Sequence, residues 1–194
     1  VDNGMNQVGY RYFTDKGLVG EPGLYYDFLI GANGIFIRAE NRFITATVCV
    51  QEATIRGLQP VITMMHLKHG KIPWQLYHLA ISSMMMDALR EHYFAIVWQD
   101  GYRLVHPEQE GTAASCHYQR VSDTVMEFHS HALMSSFFSG IDNRDEVGMA
   151  IFAVVGRLDK MIPEVEIRVG LYGYYDSLNQ NEVFGDVLSH QQAA

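Results

Sequence analysis

The densest concentration of chemically capable side chains lies at Glu127-Phe128-His129-Ser130-His131. His129 and His131 are two apart, so on a β-strand both side chains point to one face. Neutral imidazole is the commonest protein ligand for zinc. Seven residues separate His131 from Ser139, and Asp142 lies three further on. If Ser139 opens a helix, it shares the first turn and one face with Asp142. Two histidines and a carboxylate make three ligands. The fourth tetrahedral position is then left to water, which marks catalytic rather than structural zinc. Taken singly, each element has a plainer reading. An His-x-His pair is a weak signal in a chain with nine histidines. Ser-x-x-Asp is also a helix N-cap with a dipole-favoured acid. The specific signal is the set of fixed offsets.

The combined pattern, His-x-His-x(7)-Ser-x-x-Asp, resembles the signature of the JAMM (MPN+, JAB) metalloproteases. Three further stretches are similar to the PRTRC system protein A family, bacterial JAB-domain proteins of mobile-element gene clusters. They are Phe137-Phe138-Ser139-Gly140-Ile141-Asp142-Asn143-Arg144-Asp145-Glu146, Val154-Val155-Gly156-Arg157-Leu158-Asp159 and Arg168-Val169-Gly170-Leu171-Tyr172-Gly173. The resemblance implies an α+β fold of the MPN type, related to cytidine deaminases: a curved mixed sheet flanked by helices. It implies Zn2+ held by His129, His131 and Asp142, with Ser139 steadying the oxyanion. It also implies Glu91 as general base, because the family's catalytic Glu follows the first core helix at the head of the next strand. Glu52 and Glu127 are the rival carboxylates. The implied activity is an isopeptidase or peptidase acting at the C-terminus of a ubiquitin-like protein. The implied partners are that protein or its conjugates, with activating- and conjugating-enzyme-like proteins of the same cluster. Trimming of a sulfur-carrier protein is the alternative substrate. A non-catalytic MPN scaffold is the alternative class, although such scaffolds have usually lost a ligand and none is missing here. One position departs from the pattern. JAMM enzymes commonly carry Pro after the second His, and here it is Ala132, which bears on loop conformation and substrate fit rather than on the ligands. A nucleobase deaminase needs His-x-Glu and Pro-Cys-x-x-Cys, and neither occurs.

The whole chain bounds these readings. At 194 residues with 48% apolar side chains it has the material for a real core. A net charge of −8 argues against nucleic acid and against an anionic membrane surface as partners. Cys49 and Cys116 form no Cys-x-x-Cys and no disulfide framework, so a reducing cytoplasm is expected. No signal peptide or bilayer-spanning apolar run is read.

The elements that must hold the site follow in order. Turn formers dominate residues 1–23, with a short strand expected from Tyr10 to Phe13. Tyr25 to Ile30 and Ile35 to Ala39 read as a hairpin about Gly31-Ala32-Asn33-Gly34, and Phe43 to Val50 as another strand. Ile72-Pro73 opens a helix expected to run from Trp74 to Arg90, with Met84-Met85-Met86 read as core. Glu91 precedes a strand, Tyr93 to Trp98, that hairpins into Tyr102 to Val105. Residues 108–115 read as a loop, Thr124 to His131 as the metal strand, Met149 to Val155 as a buried central strand and Val165 to Tyr172 as a further one. From Asp176 the tail is polar and expected to fray, with a short helix near Phe184 to Leu188. His66 and His69 read as ordinary polar positions, as do His78, His92, His106, His117 and His190. The expected organisation is a β-rich extension over 1–70, the metalloprotease core over 71–178 and a polar tail over 179–194.

Overall fold

The computed structural model of the chain describes residues 6–112 and 115–186. It begins with β1 (Val8–Thr14), β2 (Gly17–Val19), β3 (Tyr26–Gly31), β4 (Gly34–Glu40), β5 (Ile44–Glu52) and β6 (Met64–Leu67). These form one sheet in the order β2-β1-β3-β4-β5-β6. The hairpin expected about Gly31 to Gly34 is β3 and β4, closed by a Gly31–Gly34 pair. Gly34 has φ +150°, and a Cβ there would stand 2.4 Å from Gln51 O, so glycine alone fits. One sheet face buries Leu29 and Phe36 under Val61, with Phe13, Leu18 and Cys49 packed alongside. On the opposite face Tyr26 and Phe28 meet Tyr172 and Tyr174 at ring distances of 4.9 and 5.9 Å.

The remainder comprises β7 (Ile72–Pro73), α1 (Trp74–Met85), β8 (Tyr93–Trp98), β9 (Tyr102–Val105), β10 (Gln109–Gly111), β11 (Cys116–Tyr118) and β12 (Thr124–Ser130). After these come α2 (Asp142–Asp145), β13 (Met149–Gly156), β14 (Glu164–Leu171), β15 (Tyr174–Ser177), α3 (Gln180–Val183) and β16 (Phe184–Gly185). A second sheet runs β15-β14-β13-β12-β8-β9. By contact the chain divides into two compact units. One is Val1–Lys68 with Ile141–Ala150 and Val169–Asp176, and the other is His69–Gly140 with Ile151–Arg168 and Ser177–Ala194. In the second unit β12 is interior. It pairs antiparallel with β8, His129 opposite Tyr93, and parallel with β13, Ser130 opposite Val155. Its side chains alternate: Met126, Phe128 and Ser130 are buried, while Glu127 and His129 are half-buried on the other face. Phe128 joins Tyr77 of α1 and Phe184, with Trp74 5.2 Å from Phe184.

The expectation of an α+β MPN fold with helices flanking the sheet is overturned. Strand makes up 46% of the described residues and helix 11%, in three short helices. The physical reason lies first in α1, which stops at Met85 rather than reaching Arg90. Met84 is fully buried, but Met86 is 88% and Leu89 67% exposed, so no further turn has a core to cover. Of the Met run, then, only Met84 is fully buried core. Within residues 108–115, read as loop, Gln109–Gly111 instead form β10, which pairs with β11 (Cys116–Tyr118) in a hairpin. Ser139 opens no helix; α2 begins at Asp142, spans four residues and has Ile141 at its N-cap. A short helix does form, but before the expected span: α3 ends at Val183, set by the Asn179–Glu182 capping box, and Phe184–Gly185 is strand β16. The tail is not frayed at its start: Val183 and Phe184 are buried, and β16 pairs with β7. Residues 187–194, including the last two residues of the expected helix and His190, lie outside the described residues. Among the described residues no helix is long and apolar enough to cross a membrane.

Candidate metal centre

His129 ends up on the half-buried face of β12 because the strand alternates, and His131 follows one residue past the strand's end. His131 is 6% exposed. The chain is steered there by Ala132, whose φ of +48° lies in the left-handed region. His131 N donates to Val155 O at 2.8 Å, Leu158 N to Ala132 O at 3.0 Å and Arg157 N to Met134 O at 2.6 Å. These bonds fasten residues 131–134 to the end of β13. Pro could not take this φ, which is the structural content of the departure at Ala132.

His129, His131 and Asp142 each offer a ligand atom, and the three atoms lie within 4.8 Å of one another. No other group of three such residues occurs among the described residues. The trio suits zinc by donor type, two imidazoles and a carboxylate. Tetrahedral zinc at its usual bond lengths spaces its ligands about 3.3 Å apart, so a modest inward side-chain rotation would complete the set. The ring nitrogens His129 Nε2 and His131 Nδ1 are buried from solvent. The His129 and His131 rings are 5.1 Å apart, with Phe137 4.9 Å from His131 and Phe138 6.4 Å from His129. The buried Arg168 holds its guanidinium 3.7 Å above the Phe138 ring, a cation–π contact that orients it.

The three candidate carboxylates have different settings. Glu91 lies two residues before β8. The antiparallel register, His129 opposite Tyr93, continues past the strand ends, since Ser130 N donates to His92 O at 2.9 Å and His92 N to Ser130 Oγ at 2.8 Å. Glu91 adjoins His92, so its backbone lies near the His131 end of β12. Glu91 N also donates to Thr112 O at 2.7 Å, and Gly111 packs so closely that a Cβ would stand 2.2 Å from Glu91 O. Glu127 is on the same face as His129, and burial raises its carboxyl above the ordinary value, with Arg120 and His129 opposing. It is coupled to Tyr93, whose phenol is itself raised by burial and then by Glu127. The Tyr93 hydroxyl nevertheless has no partner at regular hydrogen-bond geometry among the described residues. The coupling is therefore better taken as electrostatic than as a formed bond. Glu52 ends β5, exposed, near Cys49. Ser139 is half-buried between the histidines and Asp142 in sequence and is not one of the trio. His66 is exposed on β6, and His69 stacks on Trp98 at 3.9 Å.

Sequence reasoning passed over several residues that shape this region. Phe138 and Arg168 form their cation–π pair across thirty residues, which no local spacing signals. Ser130 was given no role, yet its hydroxyl and amide fix His92 and so the backbone next to Glu91. Gln109 donates its side-chain Nε2 to Tyr93 O at 3.0 Å and accepts from Tyr93 N at 2.7 Å, standing in for a strand beyond the end of β9.

No model of a known protein family matches the chain, and no curated protein matches it. Among solved structures, the solution structure of protein DSY2949 from Desulfitobacterium hafniense is similar at a TM-score of 0.47 and 11% identity. The match covers 62% of this chain and 96% of that one. A likeness of that size carries no assignment of fold or activity.

Proposed function

We propose that this chain is a zinc-dependent hydrolase of peptide or isopeptide bonds, acting at the C-terminus of a ubiquitin-like protein. The observation that carries the reading is the convergence of His129, His131 and Asp142, three donors that suit a catalytic site. When bound, zinc supplies Lewis acidity and a water acidified to a pKa of about 7. His129 and His131 would hold it as neutral imidazoles and Asp142 as a carboxylate. Glu91, next to the His92 that bonds Ser130 at the end of β12, accepts the proton of the attacking water on its carboxylate and passes it to the leaving amine. The Ser139 hydroxyl donates to the developing oxyanion. Phe137 and Phe138 beside the histidines limit the access of bulk water. The substrate class and the conjugation-type partners come from the likeness of the motif to JAMM enzymes. Two free thiols, Cys49 and Cys116, suit the reducing cytoplasm in which such partners work.

The test has two steps. The purified protein should carry about one zinc per chain, with His129→Ala, His131→Ala and Asp142→Ala each losing it by elemental analysis. Mass spectrometry of ubiquitin-like fusions should then show cleavage after the C-terminal Gly by the zinc-loaded protein alone. Tight zinc in all three variants refutes the site. Zinc without cleavage of any fusion refutes the activity and leaves a scaffold.

A further inference from the structure

The first unit contains a cavity for which the proposed hydrolysis has no use. It encloses about 170 Å3 between the sheet and the segment 59–63. Its apolar wall includes Phe13, Leu18, Leu29 and Val61, and two polar side chains, Arg38 and Thr47, stand among them. Strand pairing explains why they face the same way. Arg38 of β4 is directly opposite Thr47 of β5 on one side and Asp27 of β3 on the other, and Leu29 is two residues from Asp27. The roof is pinned. Gln59 N donates to Phe13 O at 2.7 Å, while the Asn33 side chain accepts from Val61 N at 2.8 Å and donates to Val61 O at 2.9 Å.

Neither polar side chain makes a hydrogen bond or an ion pair among the described residues, although the Arg38 charge, after that of Lys68, helps hold the Glu40 carboxyl below its ordinary value. Thr47 is 3% exposed, yet its hydroxyl makes no hydrogen bond there. Arg38 is half-buried, and the acids beside it are taken. Asp27 accepts from Arg11 Nη1 at 3.1 Å and from Gly23 N at 2.7 Å. Glu40 is paired with Lys68. Arg11, Arg38 and Lys68 therefore face two carboxylates, leaving one positive charge over in a chain of net charge −8. The Thr47 hydroxyl and the half-buried Arg38 guanidinium thus retain hydrogen-bonding capacity at the cavity wall that a ligand could use. Ile62 and Met64, 81% and 43% exposed, give the cavity an apolar lip.

We propose that this cavity binds a small monoanionic amphiphile, a carboxylate on an apolar body of roughly six carbons, a size set by the benzene that fills an apolar cavity of about 150 Å3. Arg38 pairs with the carboxylate, for which the planar guanidinium is shaped. The Thr47 hydroxyl donates one hydrogen bond to it. The apolar body lies against Leu18, Leu29 and Val61, and Ile62 is covered on binding. One excess charge matches a monoanion rather than a phosphate dianion.

The experiment is calorimetric titration of the intact chain with hexanoate, and with hexylamine and hexanol as probes of the same body. Hexanoate should bind saturably at one site per chain, hexylamine should not bind, and hexanol should bind at least ~10-fold more weakly, the usual contribution of a charged hydrogen bond. Arg38→Gln should weaken hexanoate by a similar factor, with circular dichroism checking the fold. Leu18→Trp, which fills the cavity and leaves Arg38 in place, should abolish binding. The proposal is overturned by absence of saturable hexanoate binding, by hexylamine binding as well as hexanoate, or by undiminished hexanoate binding in either variant. None of these outcomes depends on zinc or on cleavage.

Discussion

Replacing Ala132 by Pro installs the residue that JAMM enzymes commonly carry after the second His, and the geometry here forbids it. Ala132 has φ +48°. Pro holds φ near −65°, so the backbone must swing by about 113° at the residue following His131. Two hydrogen bonds then lose their alignment, Leu158 N to Ala132 O at 3.0 Å and Met134 N to His131 O at 2.9 Å. At about 1 kcal/mol each, with at least another ~1 kcal/mol of strain or lost packing at a residue only 3% exposed, the cost is about 3 kcal/mol. In a chain of this length that lowers Tm by roughly 6–12 °C. Ala132→Gly separates φ from side-chain loss. It relieves about 1–2 kcal/mol of left-handed strain and gives back about the same in unfolded-state entropy and one buried methyl, so its Tm should stay close to wild type. Thermal melts of the zinc-free proteins read stability, and zinc stoichiometry reads whether His131 is still in place. Ala132→Pro melting with wild type and retaining full zinc would show that residues 131–134 do not adopt this loop.

Three further outcomes are expected. Glu91→Gln should keep zinc and slow turnover at least ~10²-fold, the low end for loss of a general acid–base, while Glu127→Gln is milder; the reverse order at matched zinc occupancy makes Glu127 the base. Gly156→Ala should destabilise by about 1–3 kcal/mol in denaturant melts, because its Cβ would meet Ser136 N at 2.2 Å and Ser135 C at 2.3 Å, and a neutral result would deny that close approach. Burial pushes the Tyr102 phenol up to about 12, and its hydroxyl donates to Gly70 O at 2.8 Å. An acid whose folded pKa is raised stabilises fully below its ordinary value of about 10 and loses that contribution as pH climbs from about 10 to 12. Wild type should therefore lose stability more steeply than Tyr102→Phe across that window, and parallel curves would refute the assignment.

What was readable in the sequence had local causes. The β3–β4 hairpin was visible because Gly31 to Gly34 separates two β-prone runs, and β8, β12 and β13 because their apolar residues are continuous or alternate. The approach of His129, His131 and Asp142 to one another was foreshadowed by their offsets, although the helix expected to open at Ser139 begins only at Asp142. The fold class was misread at a different level. The run from Trp74 to Arg90 contains no breaker, so propensity extended the helix. Only tertiary burial, ending at Met84, tells it to stop. The β10–β11 hairpin escaped notice because Gln109, Glu110 and Cys116 do not look like strand residues. They pair because Gln109 bonds both backbone groups of Tyr93 and Tyr118 stacks on its ring at 3.6 Å. Ser139 resembled an N-cap, but nothing in the sequence reports that the chain turns at Gly140 and Ile141 and begins its helix only at Asp142.

The interior position of β12 bears on the order in which this molecule is assembled. A strand paired on both sides is aligned by its neighbours, so His129 reaches its place as the sheet forms, without any ion to gather it. Unlike a zinc finger, which is unstructured until loaded, such a chain would emerge from synthesis as a shaped shell. Its metal would be an exchangeable late arrival, governed by supply in the cell rather than by folding. Chelation should then be reversible, emptying and refilling the same molecules without melting them.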